Sequence, residues 1–321
     1  MTALRIDHQQ AVRYRLAVNH LGERLPAGTY VEAARFGLQD TAPRDALVGL
    51  HARVADCEPS AWEAPGLVQT YSPRAAVYVL PAADFGVFTI GRMPLDPAEQ
   101  KSVAELAERI CREFDGAERR HGHPELRGAC ATGRVVLRWT TSALYAREVA
   151  PPDIDFREAH LELCRRHVRA FGPTTAETFG WWAGLSRPDA RTVWSWLADE
   201  LLPVELEGRA AAILASDEDA VRSSPPAPGA RFLVASDLRL FGADRYELFA
   251  GPGQKSRIEF NDWHHPHGLM LDGRIRGAWG RRQGSIELRV AGRLTAADRD
   301  AIETEALSMP IPGATMTLKV S

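Results

Sequence analysis

Histidine runs are the first features of this chain whose spacing suggests chemistry, because neutral imidazole is a frequent zinc ligand. One run is Trp263-His-His-Pro-His267 and a second is His121-Gly-His123. Neither has a cysteine or a carboxylate at the spacing that zinc sites use, so we expect surface loops and no metal site. The chain contains four scattered cysteines that form no C-x-x-C pair, Cys57, Cys111, Cys130 and Cys164. We expect these four to be buried thiols.

Motifs of several other reaction classes are missing from the sequence. The chain has no glycine-rich phosphate loop, no H-E-x-x-H and no G-x-S-x-G, the patterns that hold phosphates, catalytic zinc and nucleophilic serine. We therefore predict no nucleotide cofactor and no other cofactor.

Arginine dominates the basic residues and is unevenly distributed. The chain has 39 basic residues, of which only Lys101, Lys255 and Lys319 are lysines, a bias that genome composition alone can produce. Residues 273–293 hold six arginines against one acid, whereas residues 199–219 hold seven acids against one arginine. The net charge is −3, so any DNA contact must be made by a local basic face.

Residues 173–214 predict a winged helix-turn-helix, in which two helices are followed by a β-hairpin. Thr174 with Glu177 fits a capping box that begins the first helix, and Gly184 ends it. Ser186 fits the cap of a second helix that runs to about Leu201. Residues 203–214 alternate through a turn at Gly208, as a two-stranded wing does.

The second helix of this unit is the one that enters the major groove in such modules. Val193 and Leu197 lie on one face, which predicts burial, while Arg187, Ala190, Arg191 and Trp194 fall mostly on the other. Arg187 and Arg191 are therefore candidate DNA contacts, although solvated surface arginines have the same pattern. The chain has a group of nearby tryptophans that we expect to pack in the core and not to stack on a base: Trp181, Trp182, Trp194 and Trp196.

The same pattern of helices and hairpins recurs along the chain. It predicts a mainly α fold with β wings, an α+β class built from tandem winged helix-turn-helix units at 1–92, 93–152 and 153–221. The proline-rich segment 223–229 is the predicted linker to a C-terminal α+β domain at 231–321. In that domain Asp272-Gly273 predicts a hairpin. Its second strand and the turn after that strand carry arginines expected to touch phosphate or the minor groove, Arg274, Arg276, Arg281 and Arg282.

No apolar run is long enough for a membrane helix, and no secretory signal is evident. We expect a cytoplasmic protein without a membrane partner, and a monomer in preference to an oligomer.

Several segments resemble the AlkZ/YcaQ-type family of winged-helix DNA-binding proteins, which includes bacterial DNA glycosylases. The clearest is the segment from Phe36 to Val54, FGLQDTAPRDALVGLHARV. Residues 67–80, 171–176, 181–186 and 271–279 are similar to further family landmarks in the same order. The resemblance implies tandem winged helices that hold double-stranded DNA, with excision of alkylated bases as the activity.

That resemblance also implies where catalysis occurs. The family uses a glutamine, one aliphatic residue and then a glutamine or aspartate, and the two polar side chains hold a water molecule at the sugar. Gln39 matches the first position, whereas Asp40 stands where an aliphatic residue is expected and Thr41 replaces the second polar ligand. Asp40 can act as a general base or counter-charge, or it can cap a helix with Thr41. Arg44, in the same segment, is a further candidate DNA contact.

Three functions remain open at this point. The first is a duplex DNA-binding glycosylase that excises alkylated bases through Gln39 and Asp40. The second is a non-catalytic DNA-binding protein or transcription regulator, favoured by the altered motif. The third is a winged-helix scaffold for protein contacts, favoured by an isoelectric point near 6.4.

Overall fold

A computed structural model of the chain describes residues 4–42, 44–120, 124–140, 142–242, 267–290 and 292–321. Its helices are α1 (His8–Val18), α2 (Tyr30–Ala33), α3 (Asp45–Arg53), α4 (Phe85–Ile90), α5 (Pro97–Phe114), α6 (Leu126–Ala129), α7 (Phe156–Phe171), α8 (Ala176–Ala183), α9 (Arg187–Trp196), α10 (Glu218–Ser223) and α11 (Ala296–Leu307). Its strands are β1 (Leu4–Ile6), β2 (Leu38–Gln39), β3 (Leu67–Tyr71), β4 (Val77–Pro81), β5 (Arg119–Arg120), β6 (Val135–Trp139), β7 (Leu144–Glu148), β8 (Leu201–Leu206), β9 (Arg209–Leu214), β10 (Ala230–Leu233), β11 (His267–Leu271), β12 (Arg274–Arg282), β13 (Ser285–Val290) and β14 (Thr317–Val320). The predicted α+β class is confirmed.

Two hairpins of the first half join into one sheet, which we call the large sheet. Its strand order is β2-β4-β3-β6-β7-β5. The sequence predicted the β3–β4 and β6–β7 hairpins as wings of separate units. Gln69 of β3 pairs with Leu137 of β6, so the two hairpins share a ladder. The alternating pattern within each hairpin predicts that hairpin. It carries no information about which strands pair when they are about 70 residues apart in sequence.

The predicted helix-turn-helix at residues 173–214 is present, with one error in its first cap. Thr175, not Thr174, caps α8 through the Thr178 N–H. Thr174 instead exchanges two backbone hydrogen bonds with Ala212 of β9, so its backbone belongs to the wing. Gly184 ends α8 with a φ of 78°, as predicted.

Helix α9 begins at the predicted cap, because the Ser186 hydroxyl accepts the Asp189 N–H. It ends at Trp196, several residues before the predicted end. Ala190 is buried with Val193 and Leu197, which corrects its placement on the outer face. A close approach of α8 explains the difference, since a Cβ on Gly180 would lie 2.6 Å from the Cβ of Ala190.

The wing is the hairpin β8–β9. Its turn residues Glu207 and Gly208 both have positive φ, as a type I′ turn requires. Strand β1 adds to β8 in parallel, with Leu4 opposite Val204, a contact that the sequence did not predict.

The C-terminal sheet has the order β10-β11-β12-β13-β14. Asp272 and Gly273 form the predicted turn between β11 and β12, again with two positive φ values. Trp279 is almost fully buried and donates its indole N–H to the Leu233 and Gly268 carbonyls. Thr295 caps α11 in a capping box with Asp298, and α11 contacts β10 and β14 of the sheet.

The chain forms two compact units, each assembled from segments distant in sequence. The first comprises residues 1–6, 34–46 and 63–218, and the second 7–33, 47–62 and 219–321. The linear division at 1–92, 93–152, 153–221 and 231–321 stays a prediction. Residues 224–228 have no helix or strand and belong to the second unit, so their role as a linker between domains stays a prediction.

Some sequence features lie outside the described residues, among them His121–His123, residues 263–266 and the strand expected at 246–250. His267 is described, and its Nδ1 accepts the Ala235 N–H at 3.0 Å while its ring packs 4.6 Å from that of Trp279. All four cysteines are free and buried, as predicted. None of the helices within the described ranges is both long enough and apolar enough to cross a membrane.

Candidate active site

Strand β2 presents Gln39 at the edge of the large sheet. Leu38 pairs with Val79 and Gln39 pairs with Tyr78. The preceding Gly37 has a φ of 77°, and a Cβ there would lie 2.8 Å from the Tyr78 ring. A side chain at residue 37 would push β2 away from β4, so this glycine permits the pairing that holds Gln39.

The three residues of the altered motif alternate in direction, as extended backbone requires. Thr41 is exposed, Gln39 is half-buried and Asp40 is fully buried. The Gln39 amide donates from Nε2 to the Thr41 hydroxyl. The Tyr78 hydroxyl lies 3.5 Å from Gln39 Oε1 and donates to it. Gln39 and Thr41 therefore form a polar pair on one side, with Asp40 pointing inward.

The two oxygens of the Asp40 carboxyl differ in their hydrogen bonding. Its Oδ1 accepts the Ala46 N–H of α3 at 2.9 Å, so it satisfies a backbone donor in the first turn of that helix, as a cap does. Its Oδ2 is buried and has no hydrogen-bond partner among the described residues. The capping role that the sequence left open for Asp40 is thus present.

Burial raises the pKa of the Asp40 carboxyl from 3.8 to about 7, because the interior solvates its charge poorly. The hydrogen bond from Ala46 and the charge of Arg44 lower this pKa, whereas the charge of Asp45 raises it further. The carboxyl therefore changes its ionisation near neutral pH.

Arg44 lies beside this carboxyl and is half-buried, with a φ of 85°. Its charge favours the ionised form of Asp40. Whether Arg44 also contacts DNA stays a prediction.

The two candidate arginines of α9 are exposed, as predicted. Arg187 forms a 3.4 Å ion pair with Glu177 of α8, in which both side chains are largely exposed. Such pairs contribute little to stability in water, so Arg187 can exchange Glu177 for a phosphate at small cost.

The four candidate arginines of β12 belong to the second unit. Arg274 and Arg282 are exposed, and Arg276 and Arg281 are half-buried. Arg276 donates to the Arg293 carbonyl at 3.3 Å and Arg281 to the Gln283 carbonyl at 2.8 Å. These bonds orient two of the guanidinium groups along the hairpin.

One residue of the site and the exposure of one tryptophan were missed from the sequence. Tyr78 is a buried residue of β4 whose only sequence signal is its place in an alternating strand. Trp181 was expected to pack in the core, yet it is 57% exposed, whereas Trp182 is buried and Trp194 and Trp196 are partly buried against the core. The dipeptide Trp181-Trp182 cannot show which ring faces inward, because that depends on the helix rotation set by packing.

Comparison with known protein families identifies the family of this chain. Residues 99–309, more than half of the chain, match the family described as DNA glycosylase AlkZ-like. The chain belongs to the AlkZ-like family. The resemblance seen in the sequence is thereby confirmed. The matched residues of this AlkZ-like protein begin after the Gln39–Thr41 segment.

Two relatives of this AlkZ-like protein come from Streptomyces sahachiroi. The protein named interstrand DNA cross-link repair glycosylase is 32% identical over 127 residues, which are 38% of this chain and 34% of that protein. The match thus spans about a third of the relative. The solved structure of DNA glycosylase AlkZ superposes with a TM-score of 0.75 at 18% identity, covering 99% of this chain and all of the other. This likeness shows that the AlkZ-like fold extends over nearly the whole chain.

Proposed function

We propose that this protein binds double-stranded DNA and excises alkylated bases at the surface formed by Gln39 and Thr41. The observation that carries the proposal is the polar pair in which the half-buried Gln39 donates to the hydroxyl of the exposed Thr41. It provides two hydrogen-bonding side chains at the place where the resemblance implies a water-holding pair. Family membership and the cross-link repair name of one relative support a DNA substrate.

The chemistry demands little of the protein. Alkylation of a purine ring nitrogen makes the base cationic, so the bond from C1′ breaks with its electron pair leaving on the base. The base departs neutral, water adds its oxygen to C1′, and the added water releases one proton to the solvent. Gln39 and Thr41 orient that water, which lowers the entropic cost of the attack.

Asp40 acts from beneath this pair in our proposal. Its carboxyl is buried behind Gln39 and fixes the start of α3. When ionised, it adds negative charge under the position of the oxocarbenium-like sugar, where charge stabilisation is most effective in a low-dielectric setting. Asp40 is thus assigned as a positioning and electrostatic residue.

Arginine side chains supply the DNA contacts in our proposal. Arg187 and Arg191 lie on the second helix of a helix-turn-helix, the element that reads the major groove in such modules. Arg274 and Arg282 extend from a hairpin and are suited to phosphate. Arg44, Arg276 and Arg281 complete the proposed set.

A second candidate is a DNA-binding protein without glycosylase activity. The complete burial of Asp40 favours it, because a carboxyl that caps a helix from the interior does not itself touch substrate. A single turnover assay separates the two candidates.

The test uses duplex DNA that contains 7-methylguanine, with the released base measured by chromatography. Wild type should release the base, Gln39→Ala and Thr41→Ala should reduce the rate at least tenfold, and Gln100→Ala should not change it. Asp40→Asn should match wild type below about pH 6 and fall below it at pH 8, where the wild-type carboxyl is ionised. If the wild type binds this DNA but neither it nor any variant releases the base, the protein is the second candidate, a DNA-binding protein without glycosylase activity.

A further inference from the structure

Trp181 is the most exposed of the large apolar side chains in the described part of the chain, at 57%. It lies on α8, and its neighbours Glu177 and Thr178 on the same helix are also exposed. A tryptophan left in water forgoes the burial free energy that Trp182 gains in the core. The position of Trp181 therefore calls for a cause other than packing.

The turn between β3 and β4 places Arg74 on this indole. The Arg74 guanidinium carbon lies 4.2 Å from the centroid of the Trp181 ring. Arg74 has φ 60° and ψ 21°, and Ala75 has φ 52°, a left-handed backbone that costs about 1 kcal/mol or more for each residue with a side chain. The turn thus keeps two strained residues in the conformation that carries the stacked pair.

Hydrogen bonds fix the turn against both α4 and α8. The buried Ser72 hydroxyl donates to the Phe88 carbonyl of α4 at 2.8 Å. Arg92 donates from Nη1 to the Tyr71 carbonyl and from Nε to the Ala183 carbonyl, both at 3.2 Å. Tyr71 precedes the turn and Ala183 follows Trp181 by two residues, so one guanidinium joins the two elements that carry the pair.

The pair is also connected to the candidate active site through β4. Strand β4 begins at Val77, directly after the turn, and the Val77 carbonyl accepts the Asp40 N–H at 2.8 Å. The next residue, Tyr78, pairs with Gln39. The stacked pair and the Gln39–Thr41 pair are therefore attached to the same end of β4.

We propose that Trp181, held by Arg74, stacks on a DNA base that has lost its pairing partner beside the excision site. The proposal rests on the DNA binding proposed above. Every nucleobase has a flat π face, and an indole that is already held in place loses little entropy on stacking. Arg74 holds the ring by cation–π contact and adds one positive charge for the neighbouring phosphate.

The test compares two short duplexes, one fully paired and one with a tetrahydrofuran abasic analogue opposite a normal base. Wild type should bind the abasic duplex more tightly. Trp181→Ala should weaken that binding by roughly tenfold and leave binding of the paired duplex within twofold. Trp181→Phe should retain most of the affinity, and Leu307→Ala, which removes another exposed apolar side chain, should change neither.

Salt dependence and unfolding distinguish a functional pair from a structural one. Trp181→Ala should not change the slope of log affinity against log salt, whereas Arg74→Gly should reduce its magnitude by about 1. Arg74→Gly should also unfold at an equal or higher temperature, because glycine relieves the left-handed backbone. A lower unfolding temperature would instead show that Arg74 serves the fold.

The outcomes separate this inference from the proposed function. Absence of wild-type binding to either duplex overturns the proposed function and this inference with it. Binding of both duplexes, with Trp181→Ala indistinguishable from Leu307→Ala, overturns the inference alone. An equal loss on both duplexes overturns it as well, because stacking on an unpaired base requires the abasic preference.

Discussion

The Asp40 carboxylate oxygen Oδ1 lies 2.9 Å from the Ala46 backbone nitrogen, and this bond ties the candidate active site to the start of α3. It spans six residues, twice the usual distance from a cap to its donor. The residue at the centre of the altered motif is thus a helix cap and a buried acid whose pKa is about 7.

Asp40 should make stability depend on pH. Its pKa in the folded chain is raised above the unfolded value, so its contribution is fully present below about pH 4 and is lost as pH rises through 7. The full loss between those limits is on the order of 4 kcal/mol. Asp40→Asn keeps an oxygen that can accept the Ala46 N–H, and it removes the titrating group. As pH rises from 5 to 8.5, the free energy of unfolding in urea should therefore fall for wild type relative to the variant. Parallel pH profiles for the two proteins would contradict the buried acid.

Gly37→Ala should destabilise the fold and displace Gln39. The new Cβ would lie 2.8 Å from the Tyr78 ring, and the φ of 77° disfavours a side chain. We expect the free energy of unfolding to fall by about 2–3 kcal/mol, from overpacking and backbone strain together. Gly116→Ala is the matched control, because Gly116 has φ 70° but nothing within 4 Å of the added Cβ. Equal shifts in the urea midpoint would mean that backbone strain alone acts at residue 37.

Gly180→Ala should separate α8 from α9. Its Cβ would lie 2.6 Å from the Cβ of Ala190, so we expect lower stability and weaker DNA binding as Arg187 and Arg191 shift. Ala190→Gly removes the opposing methyl and should recover part of both losses in the double variant. Additive losses in a double-mutant cycle, measured by thermal unfolding, would show that the two methyl groups do not meet.

Arg282→Glu should reduce DNA affinity and flatten its dependence on salt. Removal of one phosphate contact lowers the magnitude of the slope of log affinity against log salt by about 1. Arg299→Glu makes the same charge change at an exposed residue of α11 and should have a smaller effect. Fluorescence anisotropy at salt concentrations from about 50 to 300 mM measures the DNA affinity of both variants and its dependence on salt. Identical slopes for the two variants would exclude a specific role for the hairpin.

Local patterns of the sequence predicted the elements closely wherever a cap, a turn or a period marked them. Ser186 caps α9 and Gly184 ends α8, as predicted. The turns at Gly208 and Asp272-Gly273 join the expected hairpins. These signals act within a few residues, so a single chain carries them in full.

The assembly of those elements depended on contacts between distant residues. The ladder from Gln69 to Leu137 merges two predicted wings into one sheet, and Thr174 leaves its expected cap to pair with Ala212. The approach of Gly180 to Ala190 turns one face of α9 inward. Each contact replaces a locally reasonable alternative because packing and pairing at long range outweigh propensities of a few tenths of a kcal/mol.

The adjacency of Gln39, Asp40 and Thr41 and the winged helix-turn-helix at residues 173–214 follow from the order of residues alone. Contacts between distant segments are what turn Asp40 to the interior, bring Gln39 to Tyr78 and place Arg74 on Trp181. Residue types and spacing specify which groups exist and how the backbone turns locally. Burial, which sets the pKa of Asp40 and the exposure of Trp181, arises only when distant segments exclude water from one side chain and not from another.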